Sequence, residues 1–398
     1  MTRRGATISA GIVLAVALLQ ARAGQQTDLG SRIQSLLEER YAKAGYPGIT
    51  VSVVMPDDRV YTAAAGWADR DHTTRLDPAS RMPAGSVGKT FVATAVLQAV
   101  DTGTLTLDDK IARWIGQEPW FRRLPNGPAL TLRALLGHRS GFPDGQDSKA
   151  FVNAIATDLD RRWTPEDLIG FVLDKKPKFP VGAKYFYTDM NYIVAGLVFE
   201  RATGVQLFDA IEQRLLIPLG LDQTIPQDRR IMTSVVPGVL DRDGVKWFHH
   251  PESIRDGHFV FAIQAEYAGG GLISTSRDLA RWAKALYDGH VLKPARMQDM
   301  LTALPSEEGA RYGLGVEITS SAAGPVYGHD GSMFGYLTQM IYFPDYRVAA
   351  AMQINADLLP TFKEHPGTVL GAIVSLAMRD VRGGKTWTKF QNQKLTKQ

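Results

Sequence analysis

A serine three residues ahead of a lysine, where a helix begins, is an arrangement that can make a nucleophile. In Gly85-Ser86-Val87-Gly88-Lys89-Thr90, positions i and i+3 share a helical face. The Lys89 side chain can therefore reach the Ser86 hydroxyl and, when partly desolvated, accept its proton. Taken alone, the same four residues also read as a capping serine followed by an exposed lysine. A second candidate is Tyr187, in Tyr187-Thr188-Asp189. A tyrosine held near a lysine ammonium can serve as general base for a serine and then as acid for the leaving group. Among Tyr185, Phe186 and Tyr192 it also reads as packing. The third cluster, Gly328-His329-Asp330-Gly331-Ser332, leads into a strand expected over 336–343. Glycine there lets a ligand approach the backbone closely, and the N–H groups of Ser86 and Ser332 can together form an oxyanion hole, with His329 facing substrate. A lone histidine in a loop is often structural.

Other chemistries are excluded at the level of spacing. Gly88-Lys89-Thr90 matches the end of a phosphate-binding loop, but Pro83 stands where that motif needs glycine. Ala84-Gly85-Ser86-Val87-Gly88 approximates a nucleophile elbow with its first glycine replaced. The downstream chain also lacks the alternating strands and helices of a parallel sheet. The adjacent His249 and His250, with Glu266, have no metal-ligand spacing, so no metal and no cofactor is expected.

The elements that must position these residues follow from periodicity and punctuation. An amphipathic helix is expected over 32–43, a hairpin of strands over 48–55 and 60–66, and a buried helix over 86–101 that Gly103 ends. From about 105 to 263 short helices alternate with Pro and Gly loops, among them 131–136, 165–173, 191–202 and 206–215. A helix over 279–287 follows, then strands over 312–318, 336–343 and 347–354, with Pro344-Asp345 as a turn, and a last helix over 368–378. The expected fold class is α/β of the α+β type. One sheet domain is built from 24–104 and 264–398, and a helical domain from 105–263. The loops 144–150 and 241–255 are expected at the entrance to the cleft.

The chain has 398 residues, of which 44% are hydrophobic, enough for a sizeable core. It has no cysteine, which excludes disulfides and thiolate chemistry. Arg3 and Arg4, an apolar run over 8–19 and Ala21-Arg22-Ala23 form the three-part pattern of a secretory signal over 1–23, and a periplasmic or secreted location is expected. No stable membrane span is expected after its removal. The formal charge of +4 falls to about +1 without the three arginines of that segment, so nucleic acid is not an expected partner. The basic tail over 379–398 reads as a solvated terminus.

Together, in this order, the three clusters resemble the penicillin-binding protein and class C β-lactamase superfamily, whose pattern is Ser-x-x-Lys, then Tyr-x-Asn, then Lys-Thr-Gly or His-x-Gly. Three further stretches are similar to the family: 131–141, 269–279 and 312–315. The resemblance covers about residues 31 to 380. It implies an antiparallel sheet packed by terminal helices, a second helical domain, and a cleft between them. It also implies acylation of Ser86 by a carbonyl substrate, Lys89 and Tyr187 sharing the base role, and hydrolysis of the acyl-enzyme. Asp189, His329, Asp330 and Gly331 would contact substrate, and Ser86 and Ser332 would form the oxyanion hole.

The departures bear on substrate. His329 stands where strict β-lactamases have lysine and Asp330 where they have threonine; an anionic Asp330 facing the cleft would repel a substrate carboxylate. Asp189, where asparagine is usual, would hold Lys89 as an ammonium, leaving Tyr187 as the working base whose ionisation Lys89 assists. The expected activity is a D-alanyl-D-alanine carboxypeptidase-like serine hydrolase acting on amide or peptide bonds. A carboxylesterase on small acyl esters and a weakly active penicillin- or peptide-binding protein are the alternatives.

Overall fold

The computed structural model describes residues 29–381 apart from 147, 233, 241–246 and 307–309. The expected signal at 1–23, nearly all of the basic tail and the first part of the 241–255 loop lie outside the described residues.

Eight antiparallel strands form the main sheet. In chain order they are β1 (Gly48–Val54), β2 (Val60–Gly66), β3 (Leu304–Pro305), β4 (Arg311–Tyr312), β5 (Glu317–Ser321), β6 (Gly324–Met333), β7 (Tyr336–Phe343) and β8 (Val348–Ile354). Their order across the sheet is β2-β1-β8-β7-β6-β5-β4-β3, so the first and last parts of the chain meet at the β1–β8 pair, where Ile49 faces Ile354. Every residue of β1 and β8 is buried. The period-two alternation of a strand explains this. On β8, Ala349 and Ala351 enter one core and Ala350, Met352 and Ile354 enter the other.

Helices α1 (29–44) and α5 (Pro366–Val381) cover the second core, burying Ile33 and Leu37 together with Leu370 and Ile373. The opposite face carries α4 (Ser276–Tyr287) and, beyond it, α2 (Gly88–Asp101) and α3 (Met190–Thr203), within a core shared with the short helices between α2 and α4. Thr275 caps α4 by accepting the Asp278 N–H at 3.2 Å. Trp282 on α4 stacks on Phe91 of α2 with ring centroids 4.0 Å apart, and its indole N–H donates to Thr90 Oγ1 at 2.8 Å. These contacts set the depth of α2, and hence of Lys89, against the sheet.

Two regions depart from the expected elements. Residues 324–333 form a strand, because ladder pairing with β7 overrides the local glycines that read as a loop. The strand expected over 312–318 is broken at Gly313-Leu314-Gly315 into β4 and β5. Gly315 has φ +77°, and a Cβ there would stand 2.6 Å from Ala93 Cβ and 3.0 Å from Lys89 O. The break thus lets the chain pass close over α2. Among the described residues no helix is long and apolar enough to cross a membrane.

Candidate active site

Ser86 lies in a single 3-10 turn, Gly85–Val87, that leads directly into α2. The turn is held by backbone packed on backbone. Gly85 has φ +53°, and a Cβ on it would lie 2.7 Å from Ser332 N; a Cβ on Gly331 would lie 2.2 Å from Ala84 O and 3.2 Å from Ser86 N. On the other side, a Cβ on Gly88 would meet Gly270 O at 2.4 Å. Only glycine allows these approaches, and they bring the Ser86 and Ser332 backbone nitrogens to one place beside the Ser86 hydroxyl.

Lys89 is fully buried, whereas Ser86 is half-exposed. Lys89 Nζ donates to Ser86 Oγ at 2.8 Å and to the Gly269 carbonyl, and it pairs with the Asp189 carboxylate. An ammonium has three donors, and these three contacts use them all. Its Nζ also lies 5.0 Å from the centre of the Tyr187 ring and 5.6 Å from that of Tyr192, within cation–π range.

Tyr187 completes this side, but its ionisation is opposite to the sequence expectation. Burial, and then the Asp189 charge, push its phenol well above the usual tyrosine range, and proximity to the Ser86 hydroxyl opposes this only in part. No hydrogen bond of ordinary geometry reaches its buried Oη. These effects leave Tyr187 as a neutral phenol.

His329 and Asp330 also need correction as substrate contacts. His329 is 2% exposed, and both its ring nitrogens are engaged: Nδ1 donates to the Asp330 carbonyl at 2.6 Å, so Nε2 accepts from the Tyr312 hydroxyl at 2.8 Å. Burial, followed by the Lys89 charge, lowers its pKa to about 3, so the ring is neutral. It therefore forms part of the site's wall and does not face substrate. The Asp330 carboxylate accepts from Gln339 across the β6–β7 pair at 3.2 Å. Alternation along β6 turns it to the face covered by α5, opposite His329 and Gly331. Repulsion of a substrate carboxylate by Asp330 is thereby removed.

Three site residues had no role assigned from sequence. His138 lies beneath Tyr187, with ring centroids 4.2 Å apart and planes 27° from parallel; its Nδ1 accepts from the Thr188 N–H at 3.3 Å and meets the Asn191 amide at 2.9 Å. Burial and the Lys89 charge keep it neutral. Tyr312 packs edge-on against His138 at 4.8 Å. Both fall in stretches that carried the family resemblance, which was the available signal. The third, Glu266, was considered only as a metal ligand. Its Oε1 lies 3.2 Å from where a Cβ on Gly269 would stand, and Asp189 Cγ lies 3.3 Å from the same point. Among the described residues no group of three His, Cys, Asp or Glu side chains is placed to hold a metal ion.

A serine in contact with a buried lysine, between a glycine-walled turn and a Tyr-x-Asp loop, agrees with the family comparison, in which the Beta-lactamase family model matches residues 33–387. The chain belongs to the beta-lactamase family. This beta-lactamase-family chain is a serine hydrolase, similar to a penicillin-binding protein of Bacillus subtilis (24% identical over 329 residues, 79% of this chain and 69% of that protein). It is also similar to a D-aminopeptidase of Cereibacter sphaeroides (27% over 314 residues, 78% of this chain), of which it spans only 57%. Among solved structures it resembles a D-stereospecific amidohydrolase from Streptomyces (27% identical, TM-score 0.71, covering 89% of this chain and 99% of that one). The D-amino acid amidase of Ochrobactrum anthropi shares the fold (23% identical, TM-score 0.72, covering 90% and 100%).

Proposed function

We propose that this protein is an exported hydrolase that cleaves amide or peptide bonds through an acyl-enzyme at Ser86, with D-amino-acyl groups as acyl donors. The observation that carries the reading is the 2.8 Å contact between Lys89 Nζ and Ser86 Oγ, made by a lysine with no exposure to solvent. Ser86 Oγ attacks the carbonyl carbon and its proton passes to Lys89 Nζ. The N–H groups of Ser86 and Ser332 receive the oxyanion. Tyr187, a neutral phenol, gives its proton to the leaving nitrogen as the C–N bond breaks, and recovers one from the Lys89 ammonium. Water then attacks the ester, its proton returns through the same two groups to Ser86 Oγ, and the acid is released.

The D-stereochemistry is supported by relatives and structural neighbours named for D-amino-acyl substrates. A terminal substrate carboxylate needs a cation, and here Lys89 has all three donors engaged while His329 is neutral. This places D-alanyl-D-alanine carboxypeptidase and β-lactam chemistry behind amide hydrolysis, and it favours a carboxylesterase as the second reading. Export rests on the basic, apolar and small-residue pattern of 1–23.

The test is intact mass spectrometry and turnover of the protein and its Ser86→Ala variant with a D-alanyl nitroanilide, a nitrophenyl butyrate and benzylpenicillin. Ser86-dependent release of nitroaniline with a transient acyl adduct is expected. Amide turnover that survives in Ser86→Ala overturns the reading; ester turnover alone points to the esterase, and a lasting adduct of whole penicillin points to a penicillin-binding protein.

A further inference from the structure

The Tyr187 hydroxyl lies beside that of Ser86, yet no hydrogen bond of ordinary geometry holds it there. Its position must therefore be fixed through the ring and the backbone, and the contacts of both converge on His138. The imidazole lies under the phenol with ring centroids 4.2 Å apart. The His138 carbonyl accepts the Phe186 N–H at 3.0 Å, and its Nδ1 accepts the Thr188 N–H at 3.3 Å. The residues immediately before and after Tyr187 are thus both tied to His138, one by main chain and one by side chain.

The clamp has a second layer and a cost. The Asn191 amide, in the first turn of α3, donates to the same Nδ1 at 2.9 Å and to the Thr188 carbonyl at 3.2 Å. With two donors converging on Nδ1, the ring proton sits on Nε2, which is buried with no hydrogen-bond partner among the described residues. His138 is fully buried, and burial keeps the ring in the neutral form that this pattern needs. Its backbone has φ +54°, in the left-handed region that few side chains favour. An unpaired buried N–H and a left-handed backbone are each unfavourable, and their coincidence at one residue beside Tyr187 points to a role in the reaction.

We infer that His138 is a positioning residue that holds the Tyr187 hydroxyl as proton donor to the leaving nitrogen, and that this clamp suits the chain to amides. An amide nitrogen must take a proton as the C–N bond breaks, so a displaced hydroxyl slows amide cleavage, whereas a nitrophenolate leaves without one. His138 touches neither Ser86 nor the reacting atoms; it acts through Tyr187. The inference rests on the acyl-enzyme reading above.

The experiment compares D-alanine nitroanilide with the nitrophenyl ester of D-alanine, for the full chain, for His138→Ala, His138→Asn and His138→Phe, and for His138→Ala combined with Tyr187→Phe. His138→Ala is expected to lower kcat/KM on the anilide by about tenfold to a hundredfold, through kcat, and on the ester by less than about threefold. Asparagine offers an acceptor in place of Nδ1 and tolerates a left-handed backbone, so it should recover most of the loss; phenylalanine keeps a ring without the acceptor and should not. Where Tyr187 is already phenylalanine, His138→Ala should cost the anilide less than about twofold more. Equal losses on both substrates, or a full further loss in the double variant, would mean that His138 supports the fold alone and overturn the inference. Asn191→Ala, which removes one of the two groups holding the ring, supplies the same ratio if His138→Ala does not fold. Ser86-dependent hydrolysis of the ester alone keeps the acyl-enzyme and removes the clamp's role; hydrolysis of neither substrate, or anilide turnover that survives in Ser86→Ala, overturns both.

Discussion

The cleft has two walls that differ in charge. One wall, built from α2, the Tyr187-Thr188-Asp189 loop and the 263–269 turn, gathers Lys89, Asp189 and Glu266 around Gly269. The other stacks His138, Tyr187, Tyr312 and His329, and every one of these rings is driven toward its neutral form, mainly by burial. Neutral rings can be fully buried at little electrostatic cost and so locate one another by packing, whereas the Lys89–Asp189 ion pair needs mutual contact and an opening to solvent. The charged wall is therefore the one suited to proton transfer, and the neutral wall holds Tyr187 in place.

The largest break in this comparison comes from the charged wall. Replacing Lys89 by methionine keeps the apolar stem and removes the proposed proton acceptor, and the acylation rate is expected to fall by about 10³-fold or more. Stopped-flow release of nitroaniline checks this; a loss below tenfold in a folded variant would mean that another group takes the Ser86 proton. Tyr187→Phe, at the junction of the walls, sharpens the comparison through its dependence on the leaving group. It should cost about 10²-fold or more on an amide, whose nitrogen must be protonated, and much less on a nitrophenyl ester, whose leaving group needs no proton. Equal losses on both substrates would place Tyr187 with Lys89 as a base.

The smallest effect belongs to the neutral wall and appears as stability. His329 titrates at about 3 when folded and at about 6.5 when unfolded. Between those values the unfolded chain binds a proton that the folded chain does not, so His329 lowers stability progressively as pH falls through that window. His329→Gln, which can still accept from Tyr312, should show a smaller drop in urea midpoint between pH 7 and pH 4 than the parent protein. An identical drop would contradict a neutral buried His329.

Much of this arrangement is legible along the chain. The Ser86–Lys89 contact follows from the i, i+3 spacing, and the hairpin of β1 and β2, the helix leading from Ser86 and the pair β7 and β8 follow from apolar periodicity and turn residues. The strand β6 was less legible because Gly324, Gly328 and Gly331 have low strand propensity, and its pairing is decided by β5 and β7 on either side. The role given to Asp330 failed for a related reason. A loop can turn any side chain toward a ligand, but a strand turns alternate residues away, so recognising the strand moves Asp330 to the α5 face.

The sequence by itself determined the Ser86–Lys89 pairing, the helix that follows it and the two hairpins of the sheet, since each of these depends on neighbours a few residues apart. Only the tertiary structure decided that Asp189 and Glu266, 77 positions apart in the chain, share one glycine, that His138 lies beneath Tyr187, and that Tyr187 rests neutral. Those outcomes depend on burial and on the sum of nearby charges, both of which are set by residues that only folding brings together.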